Sequence, residues 1–279
     1  MSVLSFDNLT LGYNSHPAVH HLSGSVDAGS LTAIAGANGS GKSTLLKGVV
    51  GMVKPMAGAV RVAPGTRIAY LPQQSEIDRG FPARVADVVS LGLWPSRGLL
   101  GRHRAEDRQR VKEAIAAVGL SGFEQRPLDT LSGGQMQRAL FARVLMQDAE
   151  LILLDEPFNA IDSRTIHDLV AMIDRWRREG RAVMVVLHDL ELARRHFPDT
   201  LLLARKPVAW GPTRSVLTPR NLAAAHGFDE AWRDDAPWCG DEDHEHAHEG
   251  HANGHDHRPA PARSDAVDGA RKSPEEAIP

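Results

Sequence analysis

Three short stretches of the chain are apolar without a polar alternate: LTAIA (31–35), LILLD within ELILLDEP (150–157), and AVMVV within AVMVVLHD (182–189). A strand with one wet face alternates, so these runs predict strands buried on both faces. Between them the apolar spacing changes to the helical period. It does so in LLKGVVGM (45–52), RAEDRQRVKEAIAAVGL (104–120) and LSGGQMQRALFARVLMQ (131–147), and again from Asp162 to about Glu179. GAVRV (58–62) and RIAYL (67–71) read as further strands, and ADVVSLGL as a further helix. Continuous strands alternating with helices predict an α/β fold, with a mostly parallel sheet covered on both faces. The helical stretch at about 75–130 reads as an insertion between two parts of that sheet, and the α/β pattern runs on to about Phe228.

Composition changes the picture at one end. The chain has 279 residues and is 42% hydrophobic, enough for one large domain or two small ones. Residues 241–279 hold ten Asp or Glu against four Lys or Arg, a balance of −6, whereas the remainder stands at +3. The near-neutral body carries no basic footprint for nucleic acid. The sequence therefore divides at about 228/229, into a body (1–228) and an acidic, His-rich tail (229–279). The tail is poor in large apolar residues and is expected to be disordered without a ligand. The single cysteine, Cys239, rules out an intrachain disulfide and fits a reducing compartment. The opening MSVLSFDNLTLGYN has no basic n-region followed by an apolar run, so no secretory signal is expected. No apolar stretch reaches the roughly 20 residues that span a bilayer.

The candidate chemistry begins with GANGSGKST (36–44), which fits G-x-x-x-x-G-K-[ST] with Gly36, Gly41, Lys42 and Ser43 at the fixed places. Glycines let the loop wrap closely, so the amides of Ala37, Asn38, Gly39 and Ser40 can converge on phosphate oxygens. The helix that follows Thr44 adds its positive end. Lys42 reaches the β- and γ-phosphates, and the Ser43 hydroxyl suits magnesium. In LILLDEP, Asp155 closes a buried strand where it can hold the same magnesium. Its neighbour Glu156 can accept a proton from an attacking water.

LSGGQ (131–135), lying between that loop and the LLLDEP strand, makes the chain resemble the ATP-binding subunit of an ABC transporter. Other elements stand in the family's order. Tyr13 in LGY resembles the aromatic that stacks on adenine, and Gln73 in YLPQ the Q-loop glutamine. NAID (159–162) resembles the D-loop, with Asp162 as its acid, and His188 in VLHD the switch histidine. The resemblance covers about residues 3–225. It implies a P-loop NTPase of the RecA-like kind, with an antiparallel β part and an inserted α-helical subdomain. It also implies ATP and Mg2+ as cofactors, magnesium being organised by Ser43, Asp155 and Gln73. Two copies would pair head to tail, so that Ser132, Gly133, Gly134 and Gln135 of one chain meet the ATP held by the other. Asp162 would communicate across that dimer. Glu156 would polarise the lytic water and His188 contact the γ-phosphate.

The same resemblance implies a separate integral-membrane permease and a peripheral position on the cytoplasmic face of the inner (plasma) membrane. FPARVADVVSLGLWPSRGLL (81–100) offers Trp94, Leu99 and Leu100 either as a docking surface or as packing inside the insertion. The chain is also similar to the zinc and manganese branch of importers, which implies an extracytoplasmic metal-binding protein. The iron-chelate branch looks much alike here, and metal export or a soluble non-transport ATPase are the other readings. His244, His246, His248, His251, His255 and His257, mixed with carboxylates, suit zinc, nickel or copper by ligand type, with Zn2+ first where imidazole and carboxylate act together, although a solubilising tail would have the same composition.

Overall fold

The structure is a computed structural model that describes residues 1–76, 78, 80–98, 104–159 and 161–231. Leu99, Leu100 and the six tail histidines lie outside the described residues. The chain opens with β1 (Ser2–Tyr13) and β2 (His16–Asp27), then β3 (Leu31–Ala35), α1 (Lys42–Val49), β4 (Pro55–Val62) and β5 (Ile68–Leu71). The insertion follows as α2 (Val85–Ser90), a 3-10 turn, α3 (Trp94–Arg97) and α4 (Ala105–Ala117). Then come α5 (Gly133–Gln147), β6 (Leu151–Asp155), α6 (Ser163–Arg178), β7 (Ala182–Val186) and α7 (Leu190–His196). The described part closes with β8 (Asp199–Ala204), β9 (Lys206–Pro212), α8 (Thr213–Val216) and α9 (Pro219–Ala231).

Six strands form one sheet in the order β5-β6-β7-β3-β8-β9, parallel except for the β8–β9 pair. β3, β6 and β7 are buried at every position, as their unbroken apolar character predicts. Alternate side chains go to two cores. Ile152, Leu154, Val183 and Val185 join α5, α6 and the helical insertion on one face. Leu151, Leu153, Met184 and Val186 join α1 and the β1–β2 hairpin on the other. The antiparallel part implied by the family resemblance is a separate three-stranded sheet, β2-β1-β4.

The individual strands β1 and β2 are not legible from period. In β1, Leu4 and Phe6 are buried, then Leu9 and Leu11, so the alternation slips by one residue. The slip coincides with Asn8 at φ 46° and a register shift between Phe6 and Leu9. A bulge of this kind erases the two-residue repeat on which strand reading depends.

The largest apolar anchor between layers is Trp176 of α6, 1% exposed and stacked on Phe141 of α5 at 5.8 Å between ring centroids. Its indole would leave a large cavity if truncated. Trp176→Ala is expected to cost about 3–5 kcal/mol in chemical denaturation, without altering nucleotide affinity in the protein that remains folded.

Candidate functional site

Strand order brings the chemistry together. β6, β7 and β3 lie side by side and parallel, with Asp155 opposite Val186 and Ile34 opposite Val186. Their carboxyl ends therefore open at one edge, where the loops to α6, α7 and α1 begin. Gly36 to Gly41 connect β3 to α1. Gly41 sits at φ 96°, and a Cβ there would stand 2.3 Å from the Ala18 carbonyl oxygen, so only glycine fits. Gly36 passes as closely to β8, since its Cβ would meet the Leu203 carbonyl oxygen at 2.0 Å.

Lys42 is 5% exposed and donates from Nζ to the carbonyls of Gly36 (2.9 Å) and Ala37 (2.6 Å). The loop backbone thus holds the ammonium group at the cradle. Ser43 Oγ donates to Asp155 Oδ1 at 3.1 Å, although the two residues stand 112 positions apart. Asp155 is 1% exposed, and its Oδ2 has no hydrogen-bond partner. Burial pushes its carboxyl up to about 6, opposed by the Ser43 hydrogen bond and reinforced by the Glu156 charge. A buried carboxylate with one orphaned oxygen, beside a hydroxyl and a phosphate loop, fits a hard divalent cation such as magnesium.

A cavity of about 560 Å³ lies over the loop, lined by Ala18, Asn38, Gly39, Gly41 to Thr44, Gln73, Glu156, Asn159 and His188. His188 Nε2 lies 2.6 Å from Glu156 Oε1, and Asn159 Nδ2 donates to Glu156 Oε2 at 2.5 Å. Glu156 itself has φ 49°. Gln73 precedes a short 3-10 turn (Gln74–Glu76) that is tied down twice. Gln74 Nε2 donates to the Gly133 carbonyl at 3.2 Å, and Glu76 pairs with Lys47 of α1 at 2.7 Å. The Glu76 carboxylate holds the Lys47 ammonium above its ordinary range.

Three groups of sequence candidates stand elsewhere. Tyr13 ends β1, 51% exposed, and is not part of the cavity lining. Ser132 caps α5: its Oγ accepts from Gln135 N (3.2 Å), while Ser132 N donates to Gln135 Oε1 (3.1 Å). None of residues 131–135 lines the cavity. Asp162 caps α6, accepting from Thr165 N at 2.9 Å and Thr165 Oγ1 at 2.7 Å. Sequence reading did not single out Asn159 or Ala18 as site residues. The signal for Asn159 was its place three residues after Glu156, on the turn that follows the acidic strand end.

A glycine loop at a strand–helix junction, facing an acidic strand end across a polar cavity, defines a P-loop nucleoside-triphosphate hydrolase. The ABC transporter family model matches residues 19–159. The manganese transport system ATP-binding protein MntB of Listeria monocytogenes is 38% identical over 230 residues, covering 80% of this chain and 96% of that protein. The zinc transport system ATP-binding protein TroB of Treponema pallidum is 38% identical over 227 residues, covering 79% and 85%. Among solved structures, a metal-chelate type ABC transporter in an inward-facing conformation is similar with TM-score 0.74 and 29% identity, over 81% of this chain and 90% of that one. The chain belongs to the ABC transporter family, as an ATP-binding subunit that hydrolyses ATP.

Proposed function

We propose that this chain powers import of a divalent transition metal through a separate membrane permease. The observation that carries the catalytic part is the meeting of the Lys42 cradle, the Ser43–Asp155 pair and the Glu156–His188 pair on one cavity. Lys42 and the amides of residues 37–44 bind the phosphates. Ser43, Asp155 and Gln73 hold magnesium, which neutralises charge on the phosphate oxygens when bound. Glu156 accepts the proton of the lytic water, and His188 orients the carboxylate and the γ-phosphate. Tyr13, exposed beside the loop helix, is the adenine platform. Residues 132–135 do not line the cavity, and we assign them to ATP held by a second copy docked head to tail, with Asp162 at the dimer seam.

Among the described residues no helix is long and apolar enough to cross a membrane. Phe81, Leu91 and Trp94 follow the Gln73 segment and are 63%, 47% and 51% exposed, which favours docking over internal packing. We assign this surface to the permease, with the chain at the cytoplasmic face of the membrane. An extracytoplasmic metal-binding protein completes the importer.

Two cargoes have specific support. Zinc is favoured by the name of the Treponema relative; as a separate matter, we assign the six tail imidazoles to cytosolic zinc buffering. Manganese is favoured by the name of the Listeria relative. Elemental mass spectrometry of cells grown under zinc and then manganese limitation separates them, comparing the parent with Glu156→Gln and with a chain ending at Gly240. Loss of zinc alone in Glu156→Gln cells supports the zinc reading, and loss of manganese alone the other. A rise in either means export, and no change in any metal overturns metal transport. The shortened chain is expected to import normally but to tolerate zinc excess less well.

A further inference from the structure

Glu156 is held in a conformation that its sequence disfavours. Its φ of 49° lies in the left-handed region, where a side chain crowds the following carbonyl. The next residue is Pro157, whose ring further restricts the backbone before it. Such a conformation persists only where the surroundings over-determine it. Three contacts do so. The Asn159 amide N–H donates to the Glu156 carbonyl at 3.3 Å, closing a turn over 156–159. The Asn159 side chain donates from Nδ2 to Oε2 at 2.5 Å, and His188 faces Oε1 at 2.6 Å.

The two side-chain contacts are not equivalent. His188 reaches Glu156 from a different strand end, and both side chains line the cavity assigned to the phosphates. Its contact must loosen when a phosphate oxygen and a water compete for the same imidazole and carboxylate. Asn159 belongs to the same turn as Glu156, so its contact travels with the carboxylate. An amide N–H donates at every pH, and an ionised carboxylate oxygen accepts strongly.

We infer that Asn159 is the positioning residue for the catalytic carboxylate: it commits Oε2 and leaves Oε1 as the oxygen that takes the proton from water. The inference rests on the reading of Glu156 as the base. No new covalent step is involved. Water gives a proton to Oε1 and its oxygen attacks the γ-phosphorus, while Asn159 keeps both its protons throughout.

The test is steady-state ATP turnover and nucleotide affinity of the full chain, with Asn159→Ala, Asn159→Asp and Asn159→Ser. Asn159→Ala is expected to lower kcat about 10- to 100-fold at unchanged KM, the scale of a misplaced reacting group. Asn159→Asp keeps the size but loses the donor and adds a like charge, so it falls further. Asn159→Ser restores a donor and recovers part of the loss. In a double-mutant cycle, Asn159→Ala on a Glu156→Gln background adds no further loss, whereas a merely structural residue would subtract equally from both. Parental kcat in Asn159→Ala and Asn159→Asp, with Glu156→Gln inactive, overturns this inference and leaves the base reading intact. Parental turnover in Glu156→Gln removes both. Equal additive losses in the cycle, with KM rising alongside, make Asn159 structural and overturn the inference too. If the alanine variant does not fold, the Asp and Ser variants decide by the same criteria.

Discussion

Glu156→Gln is expected to bind ATP as the parent does and to lose about 10²–10⁴-fold in turnover, the usual contribution of a positioned base. The substitution preserves size and leaves an oxygen for the Asn159 amide to donate to. The amide nitrogen it creates faces His188, whose imidazole can accept when neutral. The cavity should therefore keep its shape, and Lys42, Ser43 and Asp155, to which we assign nucleotide and magnesium binding, keep their contacts. What the amide cannot do is take a proton from water. ATP that is bound and not consumed holds two copies together, so light scattering with ATP present should show a dimer that outlives the parent's. Rapid-quench hydrolysis and scattering on the same sample check both halves. Hydrolysis at the parental rate would exclude Glu156 as the base. Lost hydrolysis with lost binding would show instead that the carboxylate shapes the cradle.

Much of this site was legible before the fold was known, and for identifiable reasons. The loop 36–44 and the pair Asp155–Glu156 declare themselves because phosphate and magnesium chemistry demand fixed residue types at fixed spacings. The strands β3, β6 and β7 declare themselves because burial on both faces leaves no polar alternate. The contact between Ser43 and Asp155 is different. It spans 112 positions and follows from strand order, which periodicity does not encode. β1 and β2 escaped placement because bulges shift their buried positions by one residue. Asn159 entered only as the first residue of NAID and without a role, because what singles it out is one distance to Glu156. Motif order singled out Tyr13 and Ser132, yet neither lines the cavity of the single chain.

Asp155→Asn is expected to move stability and function in opposite directions. In the folded chain without magnesium, burial pushes the Asp155 carboxyl from 3.8 up to about 6. Below about pH 4 both folded and unfolded chains carry the proton, and the residue contributes nothing to pH dependence. Between about 4 and 6 the unfolded chain gives up its proton while the folded chain retains it, so stability falls as pH rises. Above about 6 the folded chain holds a buried charge, at a cost on the order of 3 kcal/mol. Asparagine keeps the shape and removes that charge. In the presence of a chelator at pH 7.5, the variant should melt several degrees above the parent, with the gap narrowing toward pH 4.5. Added magnesium and ATP should reverse the order, because only the parent has the second anionic oxygen that the cation needs, and ligand binding to the folded state alone raises stability. Scanning calorimetry at the two pH values, with and without MgATP, reads all four melting temperatures. A variant that melts lower than the parent throughout would mean that the Ser43–Asp155 hydrogen bond outweighs the buried charge. A variant stabilised as much as the parent by MgATP would mean that Asp155 does not hold the cation.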